Sequence, residues 1–317
     1  MKSCTQDRII SAGFFLLTFL FCSCTPRSEV SKIPPAAETQ DTVTDALGRR
    51  YVQNEIPRRI VSLSPAITEI LFAVGAGEQV VGVTQYCDYP PEARTRVSVG
   101  GFSGATVSVE QIRALEPDLV ILSADMHARI VSLLDELNIP SLAVEPRNFS
   151  QVYDVIALIG KITGRAGGAE EVVADMKDTI TRVEERIKGR EQPGVFWILG
   201  EDPLMTVGPG TFVSEAIKLG GGKNIFDDVR EQWPLVSPEQ VLTRKPDWIF
   251  VGNDMANTAA PSADAGTPAF LNSPLWRTIP AVREGRVAFI NPDILYRYGP
   301  RLADAVDSIA EILHPGL

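Results

Sequence analysis

The chain of 317 residues contains only two histidines and four cysteines. His127 and His314 stand far apart, so a transition-metal site built from several imidazoles is excluded, and neither a metal nor another cofactor is expected. His127 follows Asp125 and Met126 in an expected cleft loop, where it is either a ligand contact or a solvated loop residue. Positive charge is in deficit. Thirty Lys and Arg stand against 40 Asp and Glu, for a net charge of −10, which argues against nucleic acid as a partner. Two nucleotide or nucleophile signatures are also missing. Gly220-Gly221-Gly222-Lys223-Asn224 has Ile217 where a phosphate loop needs glycine and Asn224 where it needs Ser or Thr. Gly100-Gly101-Phe102-Ser103-Gly104 lacks the spacing of a nucleophile elbow. Cys87 has no histidine base near it in sequence. An enzyme would therefore require a nucleophile–base pair assembled only in space.

Long apolar runs are scarce as well. Residues 9–21, preceded by Lys2 and Arg8, are too short for a comfortable membrane span and suit the apolar region of a signal peptide. The run ends Leu20-Phe21-Cys22-Ser23-Cys24, and a small residue before cysteine resembles a bacterial lipobox. Phe21 stands where that pattern prefers leucine. The expectation is a lipoprotein signal peptide at residues 1–23, a lipidated Cys24, and a flexible tether over 24–42, where Pro26, Pro34, Pro35, Ser28 and Ser31 cannot build a core. The alternative is an uncleaved anchor helix. Removing residues 1–23 takes away Lys2, Arg8 and Asp7, so the net charge becomes −11. Cys4 and Cys22 leave with that segment and Cys24 carries lipid, so Cys87 has no disulfide partner.

What the sequence does contain is a sentence written twice. Val107-Ser-Val-Glu-Gln-Ile-Arg-Ala-Leu-Glu-Pro-Asp118 returns as Val236-Ser-Pro-Glu-Gln-Val-Leu-Thr-Arg-Lys-Pro-Asp247. Ser108 and Ser237 can cap a helix, with Gln111 and Gln240 completing a capping box. Pro238 suits a first helical position, and Glu110 and Glu239 fall in the first turn, where the helix dipole favours negative charge. Each helix stops before Pro117 or Pro246, and an apolar run of strand length follows. The copies lie too far apart for a solenoid and suggest two lobes of similar construction.

The remaining pattern is that of an α/β protein. Arg59-Ile60-Val61-Ser62-Leu63 reads as a strand, and Ser64 and Pro65 open a helix with Ile67, Ile70, Leu71 and Val74 on one face. Val80-Val81-Gly82-Val83 and Ser141-Leu142-Ala143-Val144 read as strands, with an amphipathic helix at Ile130, Leu133, Leu134 and Leu137 between them. Val172, Met176, Ile180, Val183 and Ile187 then recur every three to four residues, with no proline among them. They predict one long helix of roughly 33 Å. A second lobe starts at Val195-Phe196-Trp197-Ile198-Leu199, contains the second repeat, and continues through a loop-rich stretch at 257–267. The strand Arg286-Val287-Ala288-Phe289-Ile290 and a helix near 301–313 close it. The expected fold is therefore two Rossmann-like α/β lobes, 43–166 and 192–317, joined by a single long rigid helix, 167–191. A ligand would sit between the lobes, beyond the C-terminal ends of the strands.

Several of these stretches, in this order, resemble the solute-binding proteins of ABC importers for vitamin B12 and ferric siderophores, and the B12-binding branch in particular. They are Arg59-Ile-Val-Ser-Leu-Ser-Pro65 with Thr68-Glu69, Val81-Gly-Val-Thr-Gln-Tyr-Cys-Asp-Tyr-Pro-Pro91, Val99-Gly-Gly-Phe102, the second repeat, Gly221-Gly-Lys-Asn-Ile-Phe226, Pro280-Ala-Val-Arg-Glu-Gly-Arg-Val287 and Tyr298-Gly-Pro-Arg301. The resemblance covers about 47–314. It implies a monomer anchored by lipid outside the cytoplasm that hands a small ligand to an ABC permease dimer with its ATPase. It also implies that Glu110 and Glu239 dock the two lobes onto arginine pockets of the two permease subunits. For the ligand, Tyr86 matches a tyrosine of the B12 pocket, while Phe102 and Trp233 stand where the relatives place tryptophans. Leu199 and Ser123 replace further aromatics. Tyr296, Arg297, Tyr298 and Arg301 could reach the cleft and contact amide or acid groups. The ligand so implied is a corrinoid, with a ferric siderophore or haem as runner-up. A cell-envelope enzyme or a ligand-presenting sensor is the rival from another class.

Overall fold

The computed structural model describes residues 41–252, 269–291 and 293–316. The signal peptide at 1–23, Cys24, nearly all of the tether and the whole loop-rich stretch at 257–267 lie outside the described residues. In the first lobe the strands are β1 (Asp41–Thr44), β2 (Arg50–Gln53), β3 (Ile60–Ser62), β4 (Val80–Val83), β5 (Val97–Ser98), β6 (Leu119–Ser123) and β7 (Ser141–Val144). Its helices are α1 (Pro65–Ala73), α2 (Val109–Ala114), α3 (Ala124–Glu136) and α4 (Phe149–Ile162). The long helix α5 (Ala166–Ile187) leads to the second lobe. There the strands are β8 (Gly194–Ile198), β9 (Gly200–Glu201), β10 (Leu204–Met205), β11 (Lys223–Asn224), β12 (Trp248–Gly252) and β13 (Val287–Ile290). They alternate with α6 (Phe212–Leu219), α7 (Pro238–Arg244), α8 (Pro280–Arg283), α9 (Asp293–Tyr296) and α10 (Leu302–Leu313).

Each lobe is built on a parallel sheet, in the order β5-β4-β3-β6-β7 in the first and β11-β8-β12-β13 in the second. Successive side chains of a strand point to opposite faces, and both faces are covered. Leu119 and Ile121 of β6 join the core shared with α1, α4 and α5, whereas Val120 and Leu122 pack on the far side with Ile112 and Ile130. In β8, Val195 and Trp197 face the shared core, and Phe196 and Ile198 pack with Phe226 and Trp276. Strands buried on both faces explain why the sequence shows continuous apolar runs there. The shared core runs unbroken from Ile70 and Ile156 through Met176, Ile180 and Val183 of α5 to Ile309 of α10. The connecting helix is thus glued to both lobes along one face.

The repeat adopts the same geometry twice. Ser108 and Ser237 accept from the backbone N–H of Gln111 and Gln240. Only the second copy forms the reciprocal capping box, because Gln240 Oε1 reaches back to the Ser237 N–H at 2.8 Å. Both helices end on a left-handed residue directly before the proline, Glu116 (φ 44°) and Lys245 (φ 50°). The repeated aspartate has a structural purpose. Asp118 accepts from the N–H groups of Arg58 and Arg59 at 2.7 and 2.9 Å, and Asp247 accepts from the Gly194 N–H at 2.7 Å. Each ties the start of a central strand to the start of its neighbour.

Two expectations need correction, and one helix lacks any expectation. Ser64 occupies the cap position of α1, but its side chain makes no capping bond, so Pro65 alone marks that start. His127 is neither solvated nor in a loop. It lies in the first turn of α3 and is fully buried. The helix α4 goes unread in the sequence although Val152, Ile156 and Ile159 share its buried face, and Asn148 caps it by accepting from Gln151.

Candidate ligand-binding cleft

A cleft of about 630 Å³ opens between the lobes. It is lined by segments that follow the strands, and these include Ser64 after β3, Ser123 at the end of β6, Glu145 after β7 and Leu199 after β8. In both sheets the chain steps to opposite sides of a central pair, β3/β6 and β8/β12. Crevices form at such switch points because the loops there diverge.

Four aromatic side chains line the cleft and keep much of their surface exposed: Tyr86 and Phe102 from the first lobe, Trp233 and Tyr296 from the second. Tyr86 and Phe102 meet edge to face with centroids 6.0 Å apart. Phe102 rides on a tight loop in which Gly100 has φ 113°, and a Cβ there would lie 2.5 Å from the Thr106 carbonyl oxygen. His127 anchors this loop from beneath. Its Nε2 donates to the Phe102 carbonyl at 3.1 Å, while Nδ1 has no partner. Burial pushes the imidazole below its usual range, against smaller opposing effects from neighbouring backbone groups and Glu145. Tyr296 accepts from Trp197 Nε1 at 3.1 Å, which sets its ring against the second lobe. Leu199 and Ser123 both line the cleft, so the smaller side chains leave room there.

Arg297 lines the cleft and is heavily engaged. It donates to Asp88 at 2.6 Å and Glu69 at 3.3 Å across the lobes, and pairs with Asp293 at 2.9 Å. Burial works against its charge, but Asp88 and the other two carboxylates hold the guanidinium above its ordinary value. Arg301 is not in this cleft. Its guanidinium makes two bonds to Glu69, Nε to Oε2 at 2.9 Å and Nη2 to Oε1 at 2.5 Å, and stacks 3.9 Å above the Tyr89 ring. It lines a separate hollow of about 280 Å³ beside α5. The expectation that Arg301 meets the ligand is therefore replaced by a role in holding the lobes together. Gly299 is part of that arrangement, since a Cβ there would approach Glu69 Oε2 to 3.1 Å.

Cys87 is buried against Thr68 and Thr84 and does not line the cleft. Burial raises its thiol pKa, only partly offset by those hydroxyls. Glu110 and Glu239 are exposed in the first turns of α2 and α7. Among the described residues no group of three or more His, Cys, Asp or Glu could hold a metal ion, and no helix is long and apolar enough to cross a membrane. Glu69 is the residue that sequence reading missed. Its only signal was the Thr68-Glu69 pair inside an otherwise apolar helix.

The family model described as periplasmic binding protein matches residues 60–294. The chain belongs to the periplasmic binding protein family. It is 32% identical over 282 residues to an uncharacterized ABC transporter substrate-binding lipoprotein of Bacillus subtilis, covering 86% of this chain and 85% of that one. Its fold is similar to the periplasmic vitamin B12 binding protein of Vibrio cholerae, with a TM-score of 0.67 and 29% identity over 81% of this chain and 97% of that one. A periplasmic heme-binding protein from Roseiflexus is similar at a TM-score of 0.67 and 27% identity, over 81% and 98%. As a periplasmic binding protein the chain is a two-lobed substrate-binding component of the kind that serves ABC importers, and it works outside the cytoplasm. Members of this family bind rather than transform their small-molecule ligands.

Proposed function

We propose that this protein captures a corrinoid between its lobes and delivers it to an ABC permease dimer with its ATPase. The observation that carries the reading is the set of half-exposed aromatic faces, Tyr86 and Phe102 opposite Trp233 and Tyr296, in a cleft at two switch points. Apolar walls with few polar contacts suit a large rigid macrocycle. The similarity to a vitamin B12 binding protein supports it. A haem or ferric siderophore is the second reading, favoured by the similarity to a heme-binding protein. Titration calorimetry of the full-length protein with cyanocobalamin, hemin and a ferric siderophore separates them. One-to-one heat with cyanocobalamin alone is expected, and binding only of hemin or siderophore would make the second reading correct.

In the same reading, residues 1–23 are a lipoprotein signal peptide, Cys24 carries the lipid and the stretch from there to β1 tethers a monomer to the membrane. Two α/β lobes flank the connecting helix α5 (Ala166–Ile187). The lipobox-like sequence and the lipoprotein relative support the anchor. Cys24→Ser should abolish incorporation of labelled palmitate, and continued labelling would point to Cys22 or to another anchor. Glu110 and Glu239 dock the lobes onto the two permease subunits, since a two-lobed carrier meeting a two-fold permease presents the same contact twice.

A further inference from the structure

The charged side chains lining the cleft are Asp125, Glu145, Arg147, Asp293 and Arg297. Both cations are already partnered. Arg147 meets Asp125 at 2.9 Å, and Arg297 is shared among Asp88, Glu69 and Asp293. Glu145 has no cationic partner among the described residues. One of its oxygens, Oε2, accepts from Ser123 Oγ at 2.6 Å and from the Asp125 N–H at 3.1 Å. Among the described residues Oε1 meets no donor. Fixed donors hold the side chain in place and leave one acceptor open.

Tyr298 supplies the complementary group. It lines the same cleft and is only 9% exposed, yet among the described residues its hydroxyl makes no well-formed hydrogen bond, having only the Ser64 and Ser123 hydroxyls beside it. A phenol buried without an acceptor is costly, and a native site that tolerates one usually has a use for it. The Ser64 and Ser123 hydroxyls lie beside it, and Glu145 lies close enough to act on it electrostatically. The cleft floor therefore offers one anionic acceptor and one neutral donor. A primary amide presents the matching pair, an N–H for Glu145 and a carbonyl for Tyr298. A carboxylate presents neither a donor nor a tolerable charge, and both nearby cations are occupied.

We infer that Glu145, with Tyr298, sets the ligand class of this cleft: it selects a macrocycle edged with primary amides and rejects the same ring edged with carboxylates. This rests on the corrinoid reading above and adds to it the chemical group being recognised. Arg147 does not rescue an anion, because swinging it toward a ligand would leave Asp125 beside that ligand as a further negative charge.

The test is a matched pair with one ring and one metal, cobyrinic acid and its heptaamide, titrated into the full-length protein. The native protein should bind the heptaamide at least ~10-fold more tightly, the scale of one hydrogen bond to a charged group. Glu145→Gln keeps the Ser123 and Asp125 bonds and should shrink the ratio to within about threefold, mainly by tightening the acid. Tyr298→Phe should weaken the heptaamide by ~5-fold and the acid by less, because Glu145 repels the carboxylate that the hydroxyl would otherwise hold. If the heptaamide binds but Glu145→Gln and Tyr298→Phe leave the ratio as it was, the selectivity inference falls and the corrinoid reading stands. If neither corrinoid binds the native protein, the corrinoid reading falls and the inference goes with it.

Discussion

Glu69 of α1 and Arg301 at the start of α10 join the two lobes through a two-point contact, 2.9 Å from Nε to Oε2 and 2.5 Å from Nη2 to Oε1. The Glu69 side chain is 2% exposed and also takes a bond from Arg297. Two cations converge on one buried carboxylate at the junction of the lobes, while α5 holds them from the side. The cleft is thereby held on a braced base.

Removing that carboxylate should be expensive. Glu69→Ala is expected to lower stability by about 3 kcal/mol, the low end for breaking a buried pair, because Arg297 keeps Asp88 and Asp293. The control is Asp135→Ala, whose carboxylate meets Arg49 at 3.5 Å on the surface, where a pair is worth about 0–1 kcal/mol. Urea unfolding measures both. Equal midpoints for the two variants would mean that the lobes are held by the shared core and not by this contact.

Trp233 is 49% exposed and adds little to the protein's own packing. Trp233→Ala should therefore leave the unfolding midpoint unchanged and weaken corrinoid binding by about 1–3 kcal/mol, the scale of a lost aromatic contact. Calorimetry alongside a melt separates the two effects. Unchanged affinity would remove Trp233 from the ligand's path.

His127 makes stability depend on acid. Burial, the dominant influence, holds the folded imidazole below its ordinary value of 6.5. The unfolded chain therefore takes up the proton first as pH falls. Stability from this residue is fully present above about pH 6.5 and drains away below it, by at most ~1.4 kcal/mol per pH unit. Urea midpoints from pH 7.5 to 5 should fall more steeply for the native protein than for His127→Gln. Parallel curves would assign the acid sensitivity to carboxylates instead.

The twin glutamates distinguish capping from docking. Both helices keep their serine caps when the glutamate is lost, so Glu110→Ala and Glu239→Ala should leave the unfolding midpoint and ligand affinity in place. Uptake in vesicles reconstituted with the permease should fall for each and nearly vanish for both. Glu110→Arg with Glu239→Arg should be worse still, by setting like charges against the proposed arginine pockets. Normal uptake by the double arginine variant would sink the docking role.

The central strands and several helices of both lobes, the long connecting helix and the doubling of the α2–β6 unit as α7–β12 are legible in the sequence. Each rests on local physics: apolar periodicity, a cap, a proline, a run of strand length. The half-exposed aromatics were legible through resemblance, because a family's pocket residues keep their place in the chain order. The helix α4 carries the same local signals, an Asn148 cap and Val152, Ile156 and Ile159 on one face. What no local rule could supply is which charges meet. Glu69 lies 228 residues from Arg297 and 232 from Arg301. Those separations close only when α1 and the start of α10 meet over the core they share. His127 reads as a loop residue in sequence, but α3 begins at Ala124 and buries the ring beneath Phe102. Sequence determines which segments become strands and helices, because that depends on neighbours three or four residues away. Tertiary structure decides which of their charges are paired and which, like Glu145, face the cleft with no cation among the described residues, because burial and electrostatics act through space.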